Sequence, residues 1–157
     1  MKRKTEGVAL LEAVDETPFI ALVDDDAHSA NLLIRALTAQ GAPRVRPLFG
    51  DAEGIESLLA MIGDVENTWP DIVVIDLKAH SGANADFLAQ YHPLLRQKGI
   101  PVAVMAAPTG RDGRQDLLDS GASAVFFRQA EREAYLNEAA AIVSFWARQQ
   151  RLDAVGM

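Results

Sequence analysis

The sequence predicts an α/β protein in which a five-stranded, all-parallel sheet carries helices on both faces. Short apolar runs typical of buried strands alternate with longer segments whose apolar residues have helical spacing. The connections between them are short, as in consecutive βα units. The runs at 19–23 and 71–76 both lead into aspartate, at the sheet edge where open α/β folds bind their ligands.

The composition is that of an ordinary globular protein and argues against several classes of function. A length of 157 residues suits one domain with a substantial core. The absence of cysteine excludes a disulfide scaffold and a cysteine-ligated zinc site. The net charge of −7 argues against general nucleic-acid binding. No apolar run reaches the roughly 18–20 residues that cross a membrane, and the basic start at residues 1–4 lacks the apolar core of a signal peptide. We therefore expect a cytoplasmic protein.

Residues 1–17 precede the first predicted strand and form an N-terminal arm. Leu10, Leu11 and Val14 have helical spacing, which is compatible with a short amphipathic helix. A frayed terminus is an equally open interpretation.

In the first half of the predicted domain, which spans residues 18–150, two strands alternate with two helices. Leu33 and Leu37 belong to the apolar stripe of the first helix, and Gly41 ends that helix. Pro47 has no N–H to offer a neighbouring strand, so the second strand is predicted at an edge of the sheet. The predicted bounds are 19–23 and 45–49 for the strands, and 28–40 and 51–63 for the helices.

The second half repeats the pattern around the most apolar strand, four β-branched residues in a row before Asp76. Pro93 is expected to kink the following helix and Gly99 to end it. The next helix is polar and contains Gly113, so we expect it to be short and mobile. The predicted strands are 71–76, 101–105 and 124–127, and the helices are 84–97, 111–119 and 131–150, followed by a tail at 151–157.

The last helix carries two apolar stripes, although a surface helix needs only one. The second stripe predicts a cover, supplied either by the N-terminal arm or by another subunit in a homodimer. A broad but ordinary core face is the alternative. The stripes are Tyr135, Ala139, Ile142 and Trp146, and Leu136, Ala140 and Val143.

The strand ends predict an acidic pocket. Asp24, Asp25 and Asp76 should meet at one edge of a parallel sheet, where unpaired carboxylates are costly without a positive partner. Oxygen ligands of this kind suit Mg²⁺. A metal-bound acidic pocket with a free carboxylate can form an aspartyl phosphate. Asp26 is interpreted as a helix N-cap, and strand-end acids that are simply satisfied are the alternative for the other three.

Five segments in this order and spacing resemble a response-regulator receiver domain of two-component signalling. The resemblance runs from Pro18 to about Gln149. It is carried by Val23-Asp24-Asp25, Pro70-Asp71-Ile72-Val73-Val74-Ile75-Asp76-Leu77, Asp86-Phe87-Leu88, Pro101-Val102-Ala103-Val104-Met105 and Gly121-Ala122-Ser123-Ala124.

This resemblance implies a doubly wound, flavodoxin-like fold with strand order 2-1-3-4-5. It implies a non-enzymatic signalling module in which Asp76 accepts a phosphoryl group from a histidine kinase or phosphotransfer protein. The module would then act on a downstream protein target. Asp25 and Asp76 would bind Mg²⁺ directly and Asp24 through water, and the backbone carbonyl of Lys78 would complete the site. The Lys78 side chain could contact a phosphate or screen the acids, and an exposed loop lysine is the commoner alternative.

Three of the departures from the family pattern bear on binding of the phosphoryl group and on its read-out. Ala106 replaces the Thr or Ser whose hydroxyl bonds a phosphoryl oxygen, and a lost hydrogen bond to a charged group costs about 1.5–3 kcal/mol. Arg128 replaces the family lysine after the last strand, and its planar fork could pair with Asp76. Val125 replaces the aromatic residue that switches.

Three hypotheses of function therefore stay open. The first is a single-domain receiver phosphorylated on Asp76. The second is a pseudo-receiver, a constitutive interaction or dimerisation module without switching. The third is a phosphatase resembling the haloacid dehalogenases, whose Asp-x-Asp motif would be Asp24 and Asp26.

Overall fold

A computed structural model describes residues 18–64 and 68–155, with side chains described to residue 151. Strands and helices alternate throughout this part of the chain. The predicted arm at 1–17 lies outside the described residues. The strands are β1 (Phe19–Asp24), β2 (Arg44–Phe49), β3 (Ile72–Asp76), β4 (Val102–Ala106) and β5 (Ala124–Phe127). The helices are α1 (Ala27–Ala39), α2 (Ala52–Gly63), α3 (Ala83–Gln97), α4 (Arg111–Asp119) and α5 (Arg132–Val155).

The strands form one parallel sheet in the order β2-β1-β3-β4-β5, which confirms the predicted fold class and strand order. β2, the strand that contains Pro47, lies at an edge as predicted. β1 and β3 are neighbours, and their register pairs Asp24 with Asp76. The acidic ends of the two strands are thereby side by side.

The core has two layers, one on each face of the sheet. Alternate residues of β3 point to opposite faces, so Val73 and Ile75 join one layer while Ile72 and Val74 join the other. The first layer contains Leu58 and Ile62 of α2 and Leu88 and Leu95 of α3. The second contains Leu33 and Leu37 of α1 and Ala139, Ile142 and Phe145 of α5.

Side-chain caps fix where the first two helices begin. The Asp26 carboxylate accepts hydrogen bonds from the backbone N–H groups of His28 and Ser29, at 3.0 and 3.4 Å. This confirms its interpretation as an N-cap. The Asp51 carboxylate caps α2 in the same way through the N–H of Gly54, at 2.9 Å.

The last helix differs from its prediction at its end and in its buried stripe. It continues to Val155, through residues predicted as a tail. Phe145 is buried, whereas Trp146 is only half-buried. Phe145 packs edge-on against Phe126 of β5 with ring centroids 6.3 Å apart, while Trp146 Nε1 donates a hydrogen bond to an Asp71 carboxylate oxygen at 2.9 Å. An indole N–H that needs an acceptor thus lies at the rim of the core.

The second stripe of α5 packs at the margin of the same core. Leu136 and Val143 are half-buried against the layer formed by α1, α5 and the sheet.

Across residues 18–64 and 68–155, no helix is both long enough and apolar enough to span a membrane.

Candidate acidic pocket

Two neighbouring strands place the buried acids of the candidate site. Asp24 ends β1 and Asp76 ends β3, and each residue is 2% exposed. Asp25 follows at the rim, with its side chain 20% exposed. The structure therefore brings together the three acids that the sequence singles out.

Asp24 is buried and only partly satisfied. One carboxylate oxygen, Oδ1, accepts a hydrogen bond from the Asp26 backbone N–H at 2.9 Å and another from Lys78 Nζ at 2.7 Å. The other oxygen, Oδ2, is buried with no hydrogen-bond partner among the described residues. Burial raises the pKa of the Asp24 carboxyl above its ordinary value of 3.8, and the hydrogen bond from Lys78 opposes that rise.

The loop after β3 holds Asp25 through its backbone. The N–H of Lys78 lies 3.1 and 3.0 Å from the two oxygens of Asp25, and the N–H of Ala79 donates to Oδ2 at 2.9 Å. Hydrogen bonds to an ionised carboxylate are stronger than neutral ones. Asp25 therefore ties the end of β1 to the loop that carries Lys78.

Both oxygens of Asp76 are engaged. Arg128 donates to Oδ1 from Nη2 at 2.7 Å and from Nε at 3.2 Å. The Ser29 hydroxyl donates to Oδ2 at 3.3 Å. The Arg128 backbone N–H bonds the carbonyl of Ala106 at 2.7 Å, which fixes the arginine beside the end of β4. The candidate phosphoacceptor is thus paired with the residue that replaces the family lysine.

The Lys78 side chain lies among the acids and not in the exposed position that is commoner for a loop lysine. Its Nζ lies 2.7 Å from Asp24 Oδ1, 3.3 Å from Asp76 Oδ1 and 3.8 Å from Asp25 Oδ1, and it also donates to the Asp76 backbone carbonyl at 2.7 Å. The side chain is 23% exposed. Of the alternatives for this side chain, the structure has the lysine that screens the acids and not the commoner exposed one, because buried carboxylates need a positive partner and the four-carbon stem reaches back over the strand end.

The residues as arranged do not fit the implied Mg²⁺. Carboxylate oxygens are suitable ligands, but the Lys78 ammonium lies among all three of them. Within the described part of the chain, no group of three or more His, Cys, Asp or Glu side chains has the geometry to hold a metal ion.

The positions where a phosphoryl group would be sensed lack their expected chemistry. Ala106 ends β4 with a methyl group that cannot donate a hydrogen bond, and Val125 is buried in β5 at 6% exposure. A cavity of about 490 Å³ opens beside Ala106. Ala106, Lys78 and Arg128 all line this cavity.

Comparisons with known proteins bear on the fold. No family model matches the chain, and no curated protein sequence matches it. Solved structures do match. The manganese-bound form of a response regulator shares 20% identity over 82% of this chain and 94% of its own, with a TM-score of 0.62. A CheY-like response regulator receiver domain protein from Methanospirillum hungatei shares 19% identity over 85% and 97%, with a TM-score of 0.59.

A phosphorylated cyanobacterial phytochrome response regulator gives a similar result, with 21% identity over 83% of this chain and 94% of its own and a TM-score of 0.62. These likenesses span nearly the whole of each neighbour. The chain has the fold of a response-regulator receiver domain.

Three residues of this receiver fold were missed from the sequence. Ser29 reaches Asp76 from the first turn of α1, and its position three residues after the N-cap Asp26 is the signal that could have found it. Asn84 accepts from the Leu77 N–H at 3.0 Å and donates to the Met105 carbonyl at 3.3 Å, so it joins the loop after β3 to β4.

Tyr135 is the third missed residue. Burial, helped by the negative charges of Asp76 and Asp24, raises the pKa of its phenol to about 12. From sequence alone it was one member of an apolar stripe, and helical spacing does not report proximity to the acids.

Proposed function

We propose that this chain is a pseudo-receiver: a protein-interaction module of receiver fold whose acidic pocket is neutralised from within. Binding of its partner protein does not depend on phosphorylation of Asp76. The observation that carries the proposal is the ion pair between Asp76 Oδ1 and Arg128 Nη2, at 2.7 Å, inside a site that already holds the Lys78 ammonium. The module performs no catalysis.

Loss of the read-out chemistry supports the same conclusion. A phosphoryl signal in the family passes to a hydroxyl at the position of Ala106 and then to an aromatic residue at the position of Val125. Here a methyl group and a buried aliphatic side chain occupy those places. Phosphate binding therefore cannot rotate an aromatic side chain at the position of Val125. The outer surface beside β5 keeps the same conformation with or without phosphate.

The surface proposed for the partner is formed by α4, β5 and α5. It flanks the acidic pocket through Arg128, whose side chain is 28% exposed. With a net charge of −7, the chain is better suited to a protein partner than to nucleic acid.

A phosphoacceptor function is the second candidate, and two observations favour it. Asp24 Oδ2 is buried without a partner among the described residues, and Ala106 borders a cavity of about 490 Å³. If the Lys78 ammonium left the pocket, the three acids and the Lys78 carbonyl would offer oxygen ligands for Mg²⁺. Asp76 would then accept a phosphoryl group from a histidine kinase or phosphotransfer protein.

Amide NMR spectra with phosphoramidate and MgCl₂ separate the two candidates. For the wild-type chain we expect no phosphoryl adduct by mass and no displacement of amide signals in α4 and β5. The Asp76→Asn variant is the control for effects of the reagents. An adduct that is absent from Asp76→Asn, accompanied by displaced amides around Val125, would favour the phosphoacceptor.

A homodimer through α5 is a further part of the proposal. Leu136 and Val143 on its second stripe are half-buried at the margin of the core, and each retains apolar surface that a partner could cover. Sedimentation velocity of the full chain tests this. We expect a dimer that Val143→Glu converts to monomer, and an unchanged monomer in both would contradict it.

A further inference from the structure

The Lys78 ammonium contacts every acid of the pocket. Its distances to oxygens of Asp24, Asp76 and Asp25 are 2.7, 3.3 and 3.8 Å. The hydrogen bond to the Asp76 backbone carbonyl, at 2.7 Å, anchors the same nitrogen at the strand end. One positive group thus makes four oxygen contacts, as a bound cation would.

The backbone around Lys78 directs the side chain into the pocket. The N–H groups of Lys78 and Ala79 both donate to Asp25, at 2.9–3.1 Å. These two N–H groups fix the start of the loop against the end of β1. The peptide N–H of Lys78 therefore binds Asp25, while its ammonium donates a hydrogen bond to Asp24.

Charge explains why an ammonium is retained there. Asp24 and Asp76 are each 2% exposed, and a buried charge is costly unless it is paired and hydrogen-bonded. Lys78 and Arg128 bring two positive charges to three carboxylates. A divalent cation added to this set would lie within a few ångströms of the ammonium, and like charges at such distances repel strongly.

We propose that Lys78 is an internal counter-ion that takes the position of a divalent cation and keeps the affinity of the pocket for such cations low. A divalent cation and the Lys78 ammonium cannot occupy the acidic pocket at the same time. Removing the ammonium leaves Asp24 Oδ1 with one hydrogen bond, from the Asp26 N–H, beside the unpartnered Oδ2, so both oxygens of this acid have lone pairs to offer a cation. The inference deepens the proposed function, since it names the group that neutralises the pocket.

Binding of Mn²⁺ alone tests this inference. Free Mn²⁺ is measured by electron paramagnetic resonance during titration of the full-length wild type, Lys78→Met and Lys78→Arg. We expect Lys78→Met to bind one Mn²⁺ at least about tenfold more tightly than wild type. Lys78→Arg keeps the positive charge and should bind as weakly as wild type.

Two controls keep the outcome specific to the pocket. Lys98→Met removes a lysine that lies over the Trp69 ring, 5.4 Å from its centroid and away from the acids, and should leave Mn²⁺ binding unchanged. Adding Asp24→Asn to Lys78→Met should abolish the gained site. Lys78→Gln repeats the test with a polar side chain if Lys78→Met does not fold.

Equal Mn²⁺ affinity in wild type and in both neutral Lys78 variants would overturn the inference, and so would tight binding by the wild type. The experiment contains no phosphate donor. Its failure is therefore distinct from failure of the proposed function, which is decided by the phosphoramidate spectra.

Discussion

Arg128 donates from Nη2 and Nε to the same carboxylate oxygen of Asp76, at 2.7 and 3.2 Å. Asp76 ends the central strand β3, and Arg128 follows the edge strand β5. The pair therefore spans β4 and joins the two sides of the pocket across the carboxyl edge of the sheet.

Arg128→Ala is expected to lower the free energy of unfolding by about 1.5–3 kcal/mol, the range for a lost hydrogen bond to a charged group. The carboxylate of Asp76 would keep only Lys78 as a positive partner, at 3.3 Å. Chemical denaturation measures the difference. The control is Arg132→Ala on the exposed start of α5, which should change stability by no more than about 0.5 kcal/mol. If the two substitutions lowered the free energy of unfolding equally, the pairing of Arg128 with Asp76 would make no specific contribution to stability.

Lys78→Met is expected to raise the pKa of Asp24 further. Burial already holds this pKa above 3.8, and the hydrogen bond and charge of Lys78 act against the rise. Carbon-13 NMR of the Asp24 carboxyl during a pH titration measures its titration midpoint in the wild type and in Lys78→Met. A lower midpoint in the variant than in the wild type would contradict the proposed contact.

The raised pKa of Asp24 also makes the free energy of unfolding depend on pH in a definite direction. The folded state holds this proton more tightly than the unfolded state, so stability from the group is present below pH 3.8 and is lost as pH rises through the higher folded value. The Asp24→Asn variant has no carboxyl at this position, so it does not lose this stability as the pH rises. Its unfolding free energy relative to wild type should therefore increase as pH rises through this window, as measured by denaturation at successive pH values.

Two glycines of α2 form a matched pair for a packing test. A Cβ added to Gly54 would collide with the backbone carbonyl of Phe49, whereas a Cβ on Gly63 would meet nothing within 4 Å. Gly54→Ala is therefore expected to destabilise the protein by about 1–3 kcal/mol, the usual cost of overpacking. Gly63→Ala should be neutral or slightly stabilising because alanine favours helix. Denaturation midpoints that fall equally in both would contradict this packing.

The fold was predictable because its signals are local and repeated. The four β-branched residues before Asp76 predict a buried strand, and Pro47 predicts an edge. The errors concern α5, where Phe145 rather than Trp146 is buried and where the helix continues to Val155. Helical spacing does not distinguish neighbouring aromatic residues at the rim of a core.

The acids of the site were predictable because parallel strands bring their carboxyl ends together, and the pairing of Arg128 with Asp76 followed from the chemistry of its planar fork. The contacts of Lys78 and Ser29 were harder to predict. Lys78 and Ser29 reach the pocket through side-chain directions that depend on the loop after β3 and on the first turn of α1. The sequence therefore predicts the cluster of acids and Arg128 as a candidate partner, but it does not decide between the alternatives for Lys78.

A crystal structure of the wild-type protein grown with MnCl₂ tests the neutralised pocket most directly. Anomalous scattering locates manganese independently of the protein atoms. We expect no manganese among Asp24, Asp25 and Asp76, and the Lys78 ammonium within hydrogen-bonding distance of Asp24. An anomalous peak bound by these three acids, with the Lys78 side chain turned out of the pocket, would contradict the account.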